Sequence, residues 1–222
     1  METHLTSELE QLKNLLLTMA GEVERQITDA IRAVIERDAA LAEAVIAGDA
    51  VIDAREIEVD HRVVELVVRE RPLARDLRLV FTASKIAPCL ERVADHAVNI
   101  AREAISLSRV PPLKPFVTMP RMAETAVGMV RDAIGAFIHA DSALAREVIT
   151  RDDVVDAMHE EMFRELLTYM MEDPRTIQRA LSLLFIAASL ERVADQGTNI
   201  SEQVVFLALG QDIRHRHGET QG

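Results

Sequence analysis

The chain is poor in the residues from which most sheet-rich, disulfide-bonded or membrane-spanning proteins are made. Of its 222 residues 3% are aromatic, none is Trp, and only eight are Gly. A sandwich or barrel draws on aromatic residues and Gly-rich turns. The core here must instead come from Leu, Ala, Val, Ile and Met, a mixture that fits an all-helical chain. A single cysteine, Cys89, lies in an apolar run. It excludes a disulfide framework, favours a reducing compartment, and reads as a core residue, with no setting that would lower its pKa. No apolar stretch approaches the ~20 residues of a membrane span. The opening "METHLTSELEQ" is too acidic and polar for a signal peptide. A cytoplasmic protein, peripheral to a membrane at most, is expected. Positive charge is also scarce. A net charge of −12 argues against nucleic acid and against a bare anionic membrane, leaving proteins and cations as partners. No phosphate-cradling Gly loop, nucleophile elbow or Cys/His catalytic pattern occurs, so no catalytic residue is expected.

What is present is a duplication. "LERVADHAVNI" spans Leu90–Ile100 and "LERVADQGTNI" spans Leu190–Ile200; from Glu91 and Glu191 onward, seven of ten positions are identical at an offset of 100. Residues 38–54 and 141–157 match at ten of 17 positions at an offset of 103. The second copy is therefore three residues shorter between these two patches. Four of the seven prolines fall in "RVPPLKPFVTMP", Arg109–Pro120, a density no helix interior tolerates. The expected organisation is a first three-helix bundle over 1–110, a linker over 111–119, a second three-helix bundle over 120–210, and a disordered tail over 211–222 that includes His215 and His217. The linker should offer no packing seam, and each half should close its own core.

Within each half the apolar spacing predicts three long helices. Ser7 and Glu10 form a capping-box pattern for the first, which runs to about Ile35. Asp38 caps the second, which stops before Pro72. The third carries Leu79, Ala83, Ile86, Leu90, Val93, Ala97, Ile100 and Ala104, alternating by four and three, and should kink at Pro88. Asp141 and Pro174 play the roles of Asp38 and Pro72 in the second half.

The acids follow their own rule. Asp49 and Asp53 are four residues apart, off the apolar stripe of the second helix; Glu91 and Asp95 are four apart, off the seam of the third. Residues level in an antiparallel hairpin are equidistant from its turn. The pair midpoints, 51 and 93, average to 72, which is Pro72. In the second half the midpoints of Asp152/Asp156 and Glu191/Asp195 are 154 and 193, averaging to 173.5, at Asp173-Pro174. The three-residue difference shortened both arms and kept each quartet level, about 21 residues or ~30 Å from its turn. Like charges at i,i+4 cost ~0.2–0.5 kcal/mol a pair. A cation would relieve them, and carboxylate-only ligands suit Mg, Ca, Mn or Fe. A solvated acidic ridge is the alternative.

Other candidates are weaker. His96 aligns with Gln196, so it reads as a surface residue or an accessory ligand. Glu58 and His61 have a di-iron-like spacing, but their copy is Glu161 and Arg164. Arg92 and Arg192 recur beside the acids and read first as outward salt-bridge partners, second as contacts to a phosphate or a partner.

The doubled "LERVADHAVNIARE" and "LERVADQGTNISEQ", with "RPLARDLR" and "DPRTIQRALSLLFIAASLERVAD", resembles the PhoU family, accessory regulators of phosphate-specific transport. The likeness runs from about Leu5 to Leu209. It implies tandem three-helix bundles and surface metal sites on the E/DxxxD pairs, here Asp49, Asp53, Glu91, Asp95, Asp152, Asp156, Glu191 and Asp195. The ions would be divalent or trivalent (Fe, Mn, Mg, Ca or Zn). It also implies self-association, as a homodimer, and a non-enzymatic role linking a phosphate ABC transporter to a sensor histidine kinase. A carboxylate-rich metal-storage or metalloenzyme bundle, and a helical scaffold whose acids bind nothing, are the competing readings. Ala94 and Ala194 stand where the family often has Gly, and Gln196-Gly197 where it often has His-Ala.

Overall fold

The computed structural model describes residues 2–213 and consists of six helices: α1 (Glu2–Glu36), α2 (Ala39–Glu70), α3 (Ala74–Ser108), α4 (Thr118–His139), α5 (Ser142–Glu172) and α6 (Ile177–Leu209), with one 3₁₀ turn, Pro174–Thr176, before α6. Most of the expected tail lies outside the described residues.

The turns repeat as the sequence does. At α1–α2, Arg37 takes a left-handed conformation (φ 60°) and Asp38 follows, its carboxylate accepting from the Leu41 amide. At α4–α5, Ala140 is left-handed (φ 52°) and Asp141 accepts from the amides of Ala143 and Leu144. A left-handed residue closes the outgoing helix and an Asp cap opens the next, which turns the chain back on itself in two residues. The α2–α3 turn uses Arg71-Pro72-Leu73; the α5–α6 turn uses Asp173, whose carboxylate accepts from the Arg175 amide.

Two expectations are corrected. Helix α1 begins at Glu2, so Ser7 and Glu10 lie inside it. Glu10 pairs with Lys13 at 2.8 Å, and Leu5 and Leu9 pack on the core, so burial extends the helix past the capping pattern. The linker is packed: Leu113 and Phe116 lie against the core, Lys114 is buried in an ion pair with Glu165, and Arg179 donates to the Pro111 carbonyl at 3.1 Å. Pro120 sits in the first turn of α4, where its missing N–H costs nothing. Helix α3 runs unbroken through Pro88.

The largest correction concerns the core. It is continuous through both halves. Helix α3 packs on α6 about as extensively as on α1 or α2, and α1 also meets α4. One cleft sets His96 and Asn99 of α3 beside Ser189 and Arg192 of α6. Another sets Lys85 and Arg92 beside Asn199 and Gln203. The two helices therefore run antiparallel, and an offset of 100 carries one cleft onto the other. Val93 and Val193 share the floor of a small apolar cavity under Leu17 of α1 and Val127 of α4, which places both near a pseudo-two-fold axis. Ala94 and Ala194 are fully buried beside them. Gly197 faces α4 so closely that a Cβ there would sit 3.1 Å from the Met129 Cβ and 3.2 Å from its carbonyl carbon. Helices α2 and α5, the outer arms, make no contact across the halves among the described residues.

Candidate functional site

Helices α2 and α3 form one hairpin, α5 and α6 the other, and each hairpin carries its quartet on the outer surface. Asp49, Glu91, Asp152 and Glu191 are half-buried; Asp53, Asp95, Asp156 and Asp195 are exposed. Within each hairpin the acids of α2 and α3, or of α5 and α6, act on one another's charge. Burial first, then the charges of Asp53 and Asp95, raise the Asp49 carboxyl above its ordinary range, against a hydrogen bond from Gln26 and the positive charge of Arg102. Glu91 is raised by burial and then by Asp95, Glu56, Asp53 and Asp49. In the second hairpin, burial and the charges of Asp195, Asp156, Asp153 and Glu191 push Asp152 up to about 6. Asp195 is raised by burial, Glu191 and Asp156, with Arg192 opposing. Among the described residues, no three His, Cys, Asp or Glu side chains stand together in an arrangement that could hold a metal ion. What the fold brings together is the charge.

Each quartet has a fifth member that identity between the repeats does not reveal. Glu56 lies seven residues beyond Asp49 on α2, is raised by burial, Asp60 and Asp53, and itself raises Glu91. Its equivalent at the offset of 103 is His159, whose Nδ1 lies 3.8 Å from Glu191 Oε1. The i, i+4, i+7 spacing could have found both. Gln26, on α1, also went unforeseen; its equivalent, Met129, leaves no trace in the repeat.

The remaining candidates resolve simply. Cys89 is buried, and that burial pushes its thiol up to about 11. Glu58 and His61 are exposed, and Glu58 pairs with Arg55 at 3.0 Å. Contrary to expectation, neither Arg92 nor Arg192 enters an ion pair among the described residues; both line the clefts between α3 and α6, Arg92 with Glu202 and Arg192 with Glu103, while Arg92 still acts on Glu56 and Arg192 on Asp195. His96 lies in the same cleft as Arg192 and is lowered by burial and by that arginine.

The raised carboxyls set a pH dependence. A carboxyl whose folded pKa exceeds its unfolded value loses stability as pH rises through that range. Asp152 should therefore add about 1–2 kcal/mol to the metal-free protein between pH 7 and pH 5, offset in part by His96, whose lowered imidazole favours the fold at the higher pH. Urea midpoints in chelator at pH 5, 6 and 7 would show it, and Asp152→Asn should flatten the profile. A midpoint that falls on acidification would contradict the crowding.

Similarity to other proteins agrees with this architecture. The PhoU domain model matches twice, at residues 16–104 and 119–204, the two copies of the duplication. A phosphate-specific transport system accessory protein PhoU homolog of Aquifex aeolicus is 40% identical over 218 residues, covering 98% of this chain and 99% of that one. The PhoU protein of Escherichia coli is 37% identical over 213 residues, covering 96% and 88%. The crystal structure of PhoU from Pseudomonas aeruginosa superposes with a TM-score of 0.88 at 39% identity, covering 93% of this chain and 99% of that one. Two matched domains and relatives of this identity along nearly the whole chain leave one assignment: the chain belongs to the PhoU family.

Proposed function

We propose that this protein is a non-enzymatic, metal-binding regulator of phosphate uptake and of the phosphate-starvation response. It acts in the cytoplasm as a homodimer and links the phosphate ABC transporter to a sensor histidine kinase. The observation that carries this reading is the match along both repeats to accessory proteins of phosphate-specific transport. No helix among the described residues is long and apolar enough to cross a membrane, so contact with a transporter would be made from outside the bilayer. The hairpin tips expose apolar side chains at equivalent places, Val68 and Phe81 on one and Met171 and Leu181 on the other, which a protein partner would bury.

The acid quartets suit metal by donor chemistry. Asp49, Asp53, Glu91 and Asp95 with Glu56 would hold one site, and Asp152, Asp156, Glu191 and Asp195 with His159 the other. A bound cation would supply positive charge to a crowded anionic surface, without redox or hydrolytic work. The exposed members are free to turn toward an ion, which the ion-free side chains have no reason to do. A metalloenzyme reading gains nothing from Glu58 and His61: both are exposed, and Glu58 is already paired with Arg55.

Deleting the gene should derepress phosphate-starvation genes in phosphate-rich medium, read by transcript level, and the intact gene in trans should restore repression. Unchanged transcripts in the deletion strain would refute the regulatory role.

A further inference from the structure

The repeated segment keeps four polar residues, Glu, Arg, Asp and Asn. The acids build the quartets. The arginines act on the acids, Arg92 on Glu56 and Arg192 on Asp195, but with the asparagines they also line the clefts between α3 and α6. Because α3 and α6 run antiparallel, Arg192 of one repeat meets Asn99 of the other in a cleft of about 330 Å³, and Arg92 meets Asn199 in its pseudo-symmetric counterpart of about 380 Å³. Neither arginine is neutralised by an ion pair among the described residues.

We propose that these two clefts each bind one oxyanion of the phosphoryl class, held by the arginine of one repeat and the asparagine amide of the other. This goes beyond the regulatory reading and does not depend on the metal sites. Guanidinium and amide N–H groups are the donors that such an anion takes, and the guanidinium supplies the charge. In the first cleft a second guanidinium, Arg102, donates to the Asn99 side-chain oxygen at 3.4 Å. The Asn99 amide nitrogen is then left to donate to a ligand. Arg192 and Arg102 both line this space. Two guanidinium groups sharing one cleft repel each other, and an anion between them removes the repulsion. Glu103 is the opposing carboxylate there. The second cleft has Lys85 and Arg92 against Glu202 and lacks the imidazole, so it should bind more weakly. The acid quartets lie nearby: Asp95 opposes the lowering of His96, and Arg102 acts on Asp49. With a net charge of −12 on the whole chain, binding must come from contact and not from long-range attraction.

The test is isothermal titration of orthophosphate into the full-length, chelator-treated protein at low salt, with ATP titrated separately. Saturable binding of orthophosphate is expected. Arg192→Gln should weaken the tighter site at least about tenfold, the loss of one charge-assisted hydrogen bond. Arg192→Lys should keep part of the affinity, and Asn99→Leu should fall between. Arg62→Gln, on the far side of α2 and paired with Glu8, should change nothing. Melting curves establish that each variant is folded. If orthophosphate binds and ATP does not, the free ion is the ligand. If ATP binds more tightly with the same sensitivity to Arg192→Gln, the phosphoryl group of a nucleotide is. Failure of both to bind saturably, or binding unaltered in the folded Arg92→Gln/Arg192→Gln protein, would overturn the proposal.

Discussion

Replacing Glu91 and Asp95 together by alanine should remove about half of the bound metal and leave the second hairpin loaded, if each quartet is a separate cation site. The two quartets lie on different hairpins, and α2 does not touch α5 or α6, so their carboxylates share no ligand. In intact protein, metal at about 100 times its dissociation constant should stabilise the fold by ~2.7 kcal/mol per site, some 2–4 °C in melting temperature for each kcal/mol. The double variant should lose that contribution from one site. Without metal it should be slightly more stable than the parent, because Glu91 no longer crowds Asp49, Asp53 and Glu56. Elemental analysis after chelation and reloading gives the count. Metal content at the parental level would return the quartet to the status of a solvated ridge. The fifth members should divide the sites by ion. The first has only carboxylates and should prefer hard ions such as Ca or Mg. The second has His159 and should take borderline ions more readily. His159→Ala should weaken Zn or Fe in the second site and leave Ca unaffected.

How much of this could be read from sequence depends on the physical rule behind each feature. A hairpin with a short turn has a fixed register, so the distances of Asp49 and Glu91 from Pro72 were enough to set them level. The structure adds only that Asp49 feels Asp95 and that Glu91 feels Asp53. Asp38 and Asp141 were legible because an Asp before an apolar-periodic run has one dominant use. Identity between repeats misses positions where the repeats differ in chemistry, hence the silence about Glu56 and His159. The partner of Arg92 was misjudged for a different reason. Spacing shows that an arginine lies one residue from an acid, but not which helix it faces. Periodicity likewise says that α3 has an apolar face without saying how many neighbours share it. A signal existed. Buried residues of α3 include Val80, Ala87, Ala94 and Ala101, at intervals of seven, alongside the seam of Ala83, Ile86, Leu90, Val93 and Ala97. Two stripes on one helix mean more than one packing surface, and the second is filled with small residues that permit close approach.

That second surface carries the last expectation. Residues 1–110 expressed alone should not form a stable monomer. Cutting the chain exposes the face of α3 that α6 covers, and each fully buried aliphatic side chain returned to water costs about 1.5–3 kcal/mol. A typical domain has only ~5–15 kcal/mol to lose. The pseudo-two-fold relation offers the fragment one escape. Its α3 can pair antiparallel with α3 of a second copy, with Ala94 taking the place of Ala194 on the axis. The fragment should therefore run at twice its mass in light scattering, and its melting temperature should rise with concentration. Dilution should unfold it. Charging the face with Ala94→Glu should remove the dimer and the folded state together, because each half relies on the other to bury α3. A fragment that stays monomeric and unfolds cooperatively at a concentration-independent temperature would show instead that each bundle closes its own core, and that the α3–α6 contact is a docking of two finished domains.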